Sequence, residues 1–366
     1  MKKHIFLLLF LFSAVQSFAG SRPKVNLAYD VDFKMNFDNR EYYESNFTPS
    51  MTIFGAHLTP SVGVSLTEAD NASHRLMAGV NLMKDFGSDK TSEIFHEVLL
   101  YYNFKKQIKQ TQMEIYAGVF SRDAMEGAWS EAFFSDSLKF YDNHLEGLLL
   151  KFRRPSAYFE VGCDWMGKYS ALRREKFMVF TAGEGKVLPF MSLGYAAYML
   201  HFANSGRSKG LVDNILANPY VNFDLSGYVS FQKIALRVGW LQAMQRNREY
   251  EGVFVYPFGF EFDQEIRNWN VGIRNRIFYG SDMMPYYNRY DNAGLKYGSD
   301  LYYGDPFYRV HDDGRSGMGI YDRLEFYYEP FARDFMKLRV SAFFNFHNAG
   351  YSGCQQMVTL SFNLDR

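Results

Sequence analysis

The chain has 366 residues with 40 basic and 40 acidic side chains, a balance that does not point to a nucleic-acid partner. Aromatics make up 18% of it, 27 Tyr and 36 Phe among them, beside a hydrophobic fraction of 47% and a slightly negative mean hydropathy. No run of about twenty apolar residues occurs, which excludes a membrane-crossing helix, and two cysteines are too few for a disulfide framework.

Residues 1–19 read as a signal peptide: Lys2 and Lys3 form a basic start, Ile5 to Val15 is apolar, and Ser17-Phe18-Ala19 supplies a cleavage site. Residues 20–366 are expected to form one domain. Its first stretch is VNLAYDVDFKMNFD, Val25 to Asp38. Val25, Leu27, Tyr29, Val31, Phe33, Met35 and Phe37 alternate with mostly polar residues. Period two means a strand with one apolar and one wet face. Its length suits a wall between lipid and water, which a tilted strand crosses in about ten residues.

After a loop ending at Ser50, Phe54, Ala56, Leu58, Val62, Val64 and Leu66 mark a second strand, and TEADNAS turns the chain back. Leu76 to Leu82 give the third strand, Ile94 to Phe104 the fourth and Met113 to Val119 the fifth, with GSDK and KKQIKQ between them. Ser121 to Asn143, rich in acids and aromatics, reads as a long loop. The pattern resumes at Leu148, Leu150 and Phe152, turns at RRPS, and continues through Phe159, Val161, Cys163 and Trp165. A short strand at Phe177 to Thr181 and a turn at GEGK are expected next, followed by a run from Leu188 to Phe202 with ambiguous alternation. Asn204 to Pro219 reads as a loop, and Val221, Phe223 and Leu225 begin a strand with a glycine irregularity at Gly227. Ile234 to Trp240, Phe254 to Phe262 and Trp269 to Tyr279 are further strands, with a turn at DQEI. The longest loop spans about Ser281 to Met318, before three closing strands at Ile320 to Tyr328, Met336 to Phe346 and Met357 to Leu364.

The connectors TEADNAS, KKQIKQ, RRPS, GEGK, QK, DQEI and EPFARD all fall at one end, and every long loop falls at the other. This sorting is a transmembrane-barrel habit that a soluble sandwich lacks. The expected fold is all-β, a transmembrane antiparallel barrel of about 16 strands, roughly 14 to 18. Cys163 and Cys354 then lie on opposite sides, so no disulfide is expected between them. In pattern and length the chain resembles the porin-type outer-membrane β-barrels of Gram-negative bacteria. It departs from them at its end, Phe362-Asn363-Leu364-Asp365-Arg366, where such barrels finish on an aromatic residue. The resemblance implies short periplasmic turns, long external loops and residence in the outer membrane.

About sixteen strands leave an aqueous lumen. The inward phase supplies Glu97, Glu114, Glu160 and Asp164 on the fourth, fifth and seventh strands. Later strands supply Arg237, Arg274, Arg276, Arg323, Lys337 and Arg339, with Glu325 among them. In a closed barrel these groups are expected to face each other as an acidic and a basic wall, with a transverse field across a pore; the plainer reading is that they pair with neighbours. The loop from Ser121 to Asn143 carries Arg122, Asp123, Glu126, Glu131 and Asp136. In porin-like proteins the third external loop folds inward, so the resemblance implies a constriction there, against a solvated surface loop.

Tyr286, Tyr287, Tyr290, Tyr297, Tyr302, Tyr303 and Tyr308 in the longest loop either stack on glycans or pack the loop onto itself. His311-Asp312-Asp313 lacks the spacing of a metal-ligand set. Phosphate-loop, HExxH, CxxC and GxSxG motifs are absent, so no cofactor, metal or catalytic residue is expected. The chain reads as a non-enzymatic channel for passive diffusion of small hydrophilic solutes, with outer-membrane lipid as its surroundings. The alternatives are a loop-closed surface-binding or adhesion barrel and a hydrolase working at the rim, for which His57, His201 and His347 are the candidate bases.

Overall fold

The computed structural model describes residues 24–43, 47–88, 94–249, 252–311, 317–348 and 350–365, so the expected signal peptide lies outside the described residues. The strands are β1 Lys24–Tyr42, β2 Met51–Thr67, β3 Ser73–Asp85, β4 Phe95–Ile108, β5 Thr111–Ser121, β6 His144–Arg154, β7 Ala157–Gly167 and β8 Lys176–Leu188. The second half holds β9 Met191–Phe202, β10 Val212–Asp224, β11 Lys233–Asn247, β12 Phe258–Asn268, β13 Val271–Gly280, β14 Gly319–Arg333, β15 Met336–His347 and β16 Gly350–Asp365. Each pairs antiparallel with its sequence neighbours, and β1 closes the barrel on β16 from Asp30↔Asp365 to Tyr42↔Gly353.

Alternation decides which face is which. On β1 the odd-numbered apolar residues point out, and Leu27 is 71% exposed; on β4, Leu100 is 58% exposed. A band of exposed Val, Leu and Phe on strands of this length needs lipid beside it. Asn36 and Asp38, in the other phase of β1, are buried inside.

The ends are sorted as expected, short turns at the periplasmic end and long loops outside, but several boundaries move. GEGK is part of β8, which runs on to Leu188. Glu184 between its glycines accepts hydrogen bonds from Ser192 (2.6 Å) and Tyr220 (2.9 Å). DQEI lies within β12, and the turn is Trp269-Asn270, both in the left-handed region (φ 50° and 65°) as a two-residue hairpin of this kind requires. Gly227 belongs to a 3-10 turn, Ser226–Tyr228, rather than to a strand bulge. Pro219 sits inside β10, where pairing to β11 is interrupted at Asn218 and Pro219 because proline has no N–H to give.

The lumen is filled. The external loop after β5, which carries the short helix α1 (Asp136–Tyr141), and the loop after β13, which carries α2 (Gly298–Leu301), both fold into the barrel. Phe133, Phe134, Tyr297, Leu301, Tyr302, Phe307 and Tyr308 are buried there against Phe180, Ala196, Tyr198, Leu200, Phe202, Leu241 and Phe278 of the wall. Each buried side chain of this size contributes about 1.5–3 kcal/mol. This explains the ambiguous alternation from Leu188 to Phe202: the outer face meets lipid and the inner face meets an apolar plug. The two loops also pair with each other, Ser135 N–H to Tyr303 O (2.8 Å) and Asp305 N–H to Glu131 O (2.8 Å). A Cβ on Gly304 would stand 2.1 Å from Ala132 O, so glycine permits the approach.

Candidate active site on the inner wall

Register places Lys34 of β1 opposite His57 of β2, and Asn81 of β3 opposite Glu97 of β4. These inward positions form a polar row across four strands. His57 Nδ1 lies 3.0 Å from Asn81 Oδ1, and Thr59 Oγ1 donates to the same oxygen at 3.2 Å. Asn81 Nδ2 donates to Asn143 Oδ1 (3.1 Å), so Asn81 Oδ1 is the acceptor and His57 carries its proton on Nδ1. His57 Nε2 is therefore a lone pair, buried and without a hydrogen-bond partner among the described residues.

Around this pair, His144 Nδ1 meets Glu97 Oε2 at 3.1 Å. Lys34 is paired with Asp123 of the inserted loop and lies 3.7 Å from Asp32. The ring of Phe140, on α1, stands edge-on to His57 at 4.7 Å and covers it from the lumen side. A neutral imidazole with one free nitrogen, next to a fixed ammonium, can accept a proton from water and stabilise an oxyanion.

Of the three histidines singled out in the sequence, only His57 enters such a network. His201 stacks on Phe177 at 4.7 Å, and His347 lies among Phe47, Phe307 and Tyr321 in the plug, its Nε2 3.1 Å from Phe307 O. Asn81, Asn143 and His144 escape a sequence reading, because alternation says only that a strand residue points inward. Their meeting depends on where the inserted loop returns to β6.

The expected acidic and basic walls do not stand apart. Asp263 lies among Arg274 (2.5 Å), Arg237 (3.6 Å) and Arg276 (3.7 Å). Arg339 meets Glu325 (2.7 Å) and Glu329 (2.9 Å), and Lys337 meets Glu329 (3.0 Å). On the other wall Glu114 is held by Lys105 (2.9 Å) and Lys151 (3.0 Å), and Asp164 by Arg122 (3.0 Å). Glu160 accepts the N–H groups of Glu126 (2.7 Å) and Gly127 (2.8 Å). Glu114, Asp263, Glu325 and Glu329 are thus paired with strand neighbours, whereas Asp164 and Glu160 are held by groups of the inserted loop.

The loop between β5 and β6 does fold inward. Glu131 bridges Arg276 and Arg323 at 2.5 Å each, and Asp136 meets Arg323 at 2.9 Å. Burial pushes Glu131 up, but the two guanidiniums outweigh it and hold the carboxyl well below its usual range. Glu126 pairs instead with Arg153 (2.5 Å), and Asp123 with Lys34. Five of the seven loop tyrosines, Tyr286, Tyr297, Tyr302, Tyr303 and Tyr308, are buried in the plug; Tyr287 is half-buried and Tyr290 exposed. Asp312 and Asp313 lie outside the described residues, and no metal-binding cluster of His, Cys, Asp and Glu occurs among those described. Cys163 and Cys354 are both free thiols.

A closed, plugged antiparallel barrel of this size defines an outer-membrane protein. Among solved structures, the chain is similar to a loop-L8 deletion mutant of OmpT, an outer membrane protein of Vibrio cholerae, at 11% identity and a TM-score of 0.54, covering 93% of this chain and 99% of that one. It is also similar to Pseudomonas aeruginosa OccK3 (OpdO), at 11% identity and TM-score 0.49 over 93% and 96% of the two chains. Pseudomonas aeruginosa OccD3 (OpdP) matches at 8% and 0.47 over 96% and 97%. Comparison with curated proteins returns no match. Residues 21–211 match the model of the lipid A 3'-O-deacylase-type family, and the chain belongs to that family. This overturns the expectation of a non-enzymatic barrel, since the family is one of enzymes. The chain carries no linear catalytic motif, and side chains that meet from five strands and a loop, as those around His57 do, leave none in a sequence.

Proposed function

We propose that this barrel is an outer-membrane ester hydrolase that removes an O-linked acyl chain from lipid A. The observation that carries the reading is His57, which lies within the family-matched stretch and keeps Nε2 free while Asn81 engages Nδ1. Lys34, Thr59, Asn81, Glu97, Asn143 and His144 lie in the same stretch.

In this reading His57 Nε2 takes a proton from water as the water oxygen adds to the ester carbonyl carbon. The carbonyl oxygen becomes an oxyanion facing Lys34. Collapse breaks the bond to the sugar oxygen, which recovers the proton from His57, leaving a free fatty acid and a sugar hydroxyl. Asn81 fixes the tautomer, and α1 moves off His57 through Phe140 to admit the ester. Refolded full-length protein in mixed micelles with lipid A tests this by mass spectrometry of released fatty acid. His57→Gln should lower release roughly 10²–10⁴-fold. No release by the wild type, or full release by the variant, sinks the reading.

A second reading, passive diffusion of small hydrophilic solutes, is favoured by the sixteen-strand width and by a polar vestibule of about 210 Å³ at the periplasmic end. Asp224, Lys233, Arg237, Asp263, Glu265 and Arg274 line it. Steady ohmic current from the wild type in planar bilayers would support it, and a current-free bilayer would remove it.

A further inference from the structure

A cavity of about 400 Å³ opens at the external end between α1, the loop after β13 and the top of β1. It shares no residue with the His57 network, and Tyr287, Ser299, Asp305 and Phe307, which line it, come from beyond the family-matched stretch. Its volume falls in the roughly 300–1,000 Å³ range of small-ligand sites.

Several of its polar groups are open, although Arg40, Asp136, Ser137 and Gln355 in its lining are engaged with one another or with the wall. Among the described residues, the hydroxyls of Tyr42, Tyr287, Thr48 and Ser299 have no hydrogen-bond partner, and Asp305 has no ion pair. One oxygen of Asp305 accepts the Phe307 N–H at 3.0 Å, which fixes the carboxyl and leaves the other oxygen to the cavity. Tyr42 and Tyr287 both lie within electrostatic reach of Asp305. Phe307 adds an apolar wall. The Arg309 guanidinium stands 4.3 Å from the ring centre of Tyr287. A carboxylate acceptor that shares one cavity with free hydroxyls, which both donate and accept, and with an aromatic side chain is complementary to a ring bearing neighbouring hydroxyl groups.

We propose that this cavity is a saccharide-binding site that takes a hydroxyl-bearing sugar ring of the lipopolysaccharide surface. The choice of lipopolysaccharide as the source of the sugar rests on the hydrolase reading; the hydroxyl-binding chemistry of the cavity does not. Two sources present this chemistry, the amino-sugar backbone of lipid A and the core oligosaccharide beyond it. Calorimetric titration of the full-length protein in detergent, with N,N'-diacetylchitobiose in one arm and delipidated core oligosaccharide in the other, separates them.

Binding in either arm is expected, weakened roughly ten- to hundredfold by Asp305→Asn, which keeps the cap on Phe307 but removes the charged acceptor. Tyr287→Phe, which keeps the ring and removes only the hydroxyl, should weaken it several-fold. No binding in both arms, or binding that neither substitution alters, overturns the proposal. Acyl release measured on the same preparations separates the two ideas. Sugar binding without release removes the hydrolase reading alone, and release without sugar binding removes the saccharide site alone.

Discussion

Glu131, on a loop from one side of the barrel, meets Arg276 of the opposite wall at 2.5 Å inside the lumen. Both are buried, and Arg323 completes the clasp on the other carboxylate oxygen. Removing the carboxylate leaves two guanidiniums without their shared partner, a change that costs roughly 3–5 kcal/mol at buried pairs.

Glu131→Ala is therefore expected to release the plug without dissolving the barrel. The readout is current through planar bilayers: a closed or flickering wild type and a steadily conducting variant. Equal currents from both would mean that the apolar contacts of Phe133 and Tyr308 hold the plug alone.

Asn81→Ala is expected to cut acyl release by about 10²-fold or more, because His57 then loses the acceptor that fixes its tautomer. Asn81→Asp keeps an acceptor and should retain much more activity than Asn81→Ala. Equal losses in the two variants would assign Asn81 a packing role only.

Phe140→Ala uncovers His57. Modification of His57 by diethyl pyrocarbonate, followed by peptide mass mapping, should run several-fold faster in the variant. An unchanged rate would show that α1 is not what shields the ring.

Acidity should tighten the plug. Burial pushes Asp305 up from 3.8 to about 6, with Arg323 and Arg40 opposing and Glu131 adding to the rise. Its carboxyl thus holds a proton more firmly in the folded than in the unfolded chain. The contribution to stability is full below pH about 4 and is lost as pH rises through about 6, on the order of 3 kcal/mol at most. Hydrogen exchange of the peptide covering Tyr303 to Tyr308 should be slower at pH 5 than at pH 7 after correction for intrinsic rates. Asp305→Asn should flatten that difference, and a wild type already flat would refute the coupling.

The barrel was legible wherever one wall face met lipid and the other met water. Val25 to Asp38 alternates in sequence, and β1 leaves Leu27 and Tyr29 exposed on one face while Ala28, Asn36 and Asp38 are buried on the other. From Leu188 to Phe202 the inner face meets the plug instead, so Ala196, Tyr198 and Leu200 read like their lipid-facing neighbours and the periodicity vanishes. The inward charges were legible as inward, but not their partners. Asp263 faces Arg276, and Arg274 reaches it on the diagonal, only because β12 and β13 turn at Trp269-Asn270. His57 was visible as a candidate base, whereas its setting depends on Asn143, brought back by a loop that alternation does not describe.

The backbone bonds from Ser135 to Tyr303 and from Asp305 to Glu131 join parts of the chain about 170 residues apart. An inside built this way has an order of assembly. The first loop meets Glu160, Asp164 and Phe180 of the near wall early, but its bonds across the lumen wait for the segment after β13, and Arg323 arrives later still, on β14. Contacts of such sequence separation form slowly. During insertion the nascent wall therefore encloses water before it encloses a core, so the seal is the last part of the molecule to be made. Time-resolved refolding should show strand formation ahead of burial of Trp129, which packs among Phe133, Phe134 and Phe180.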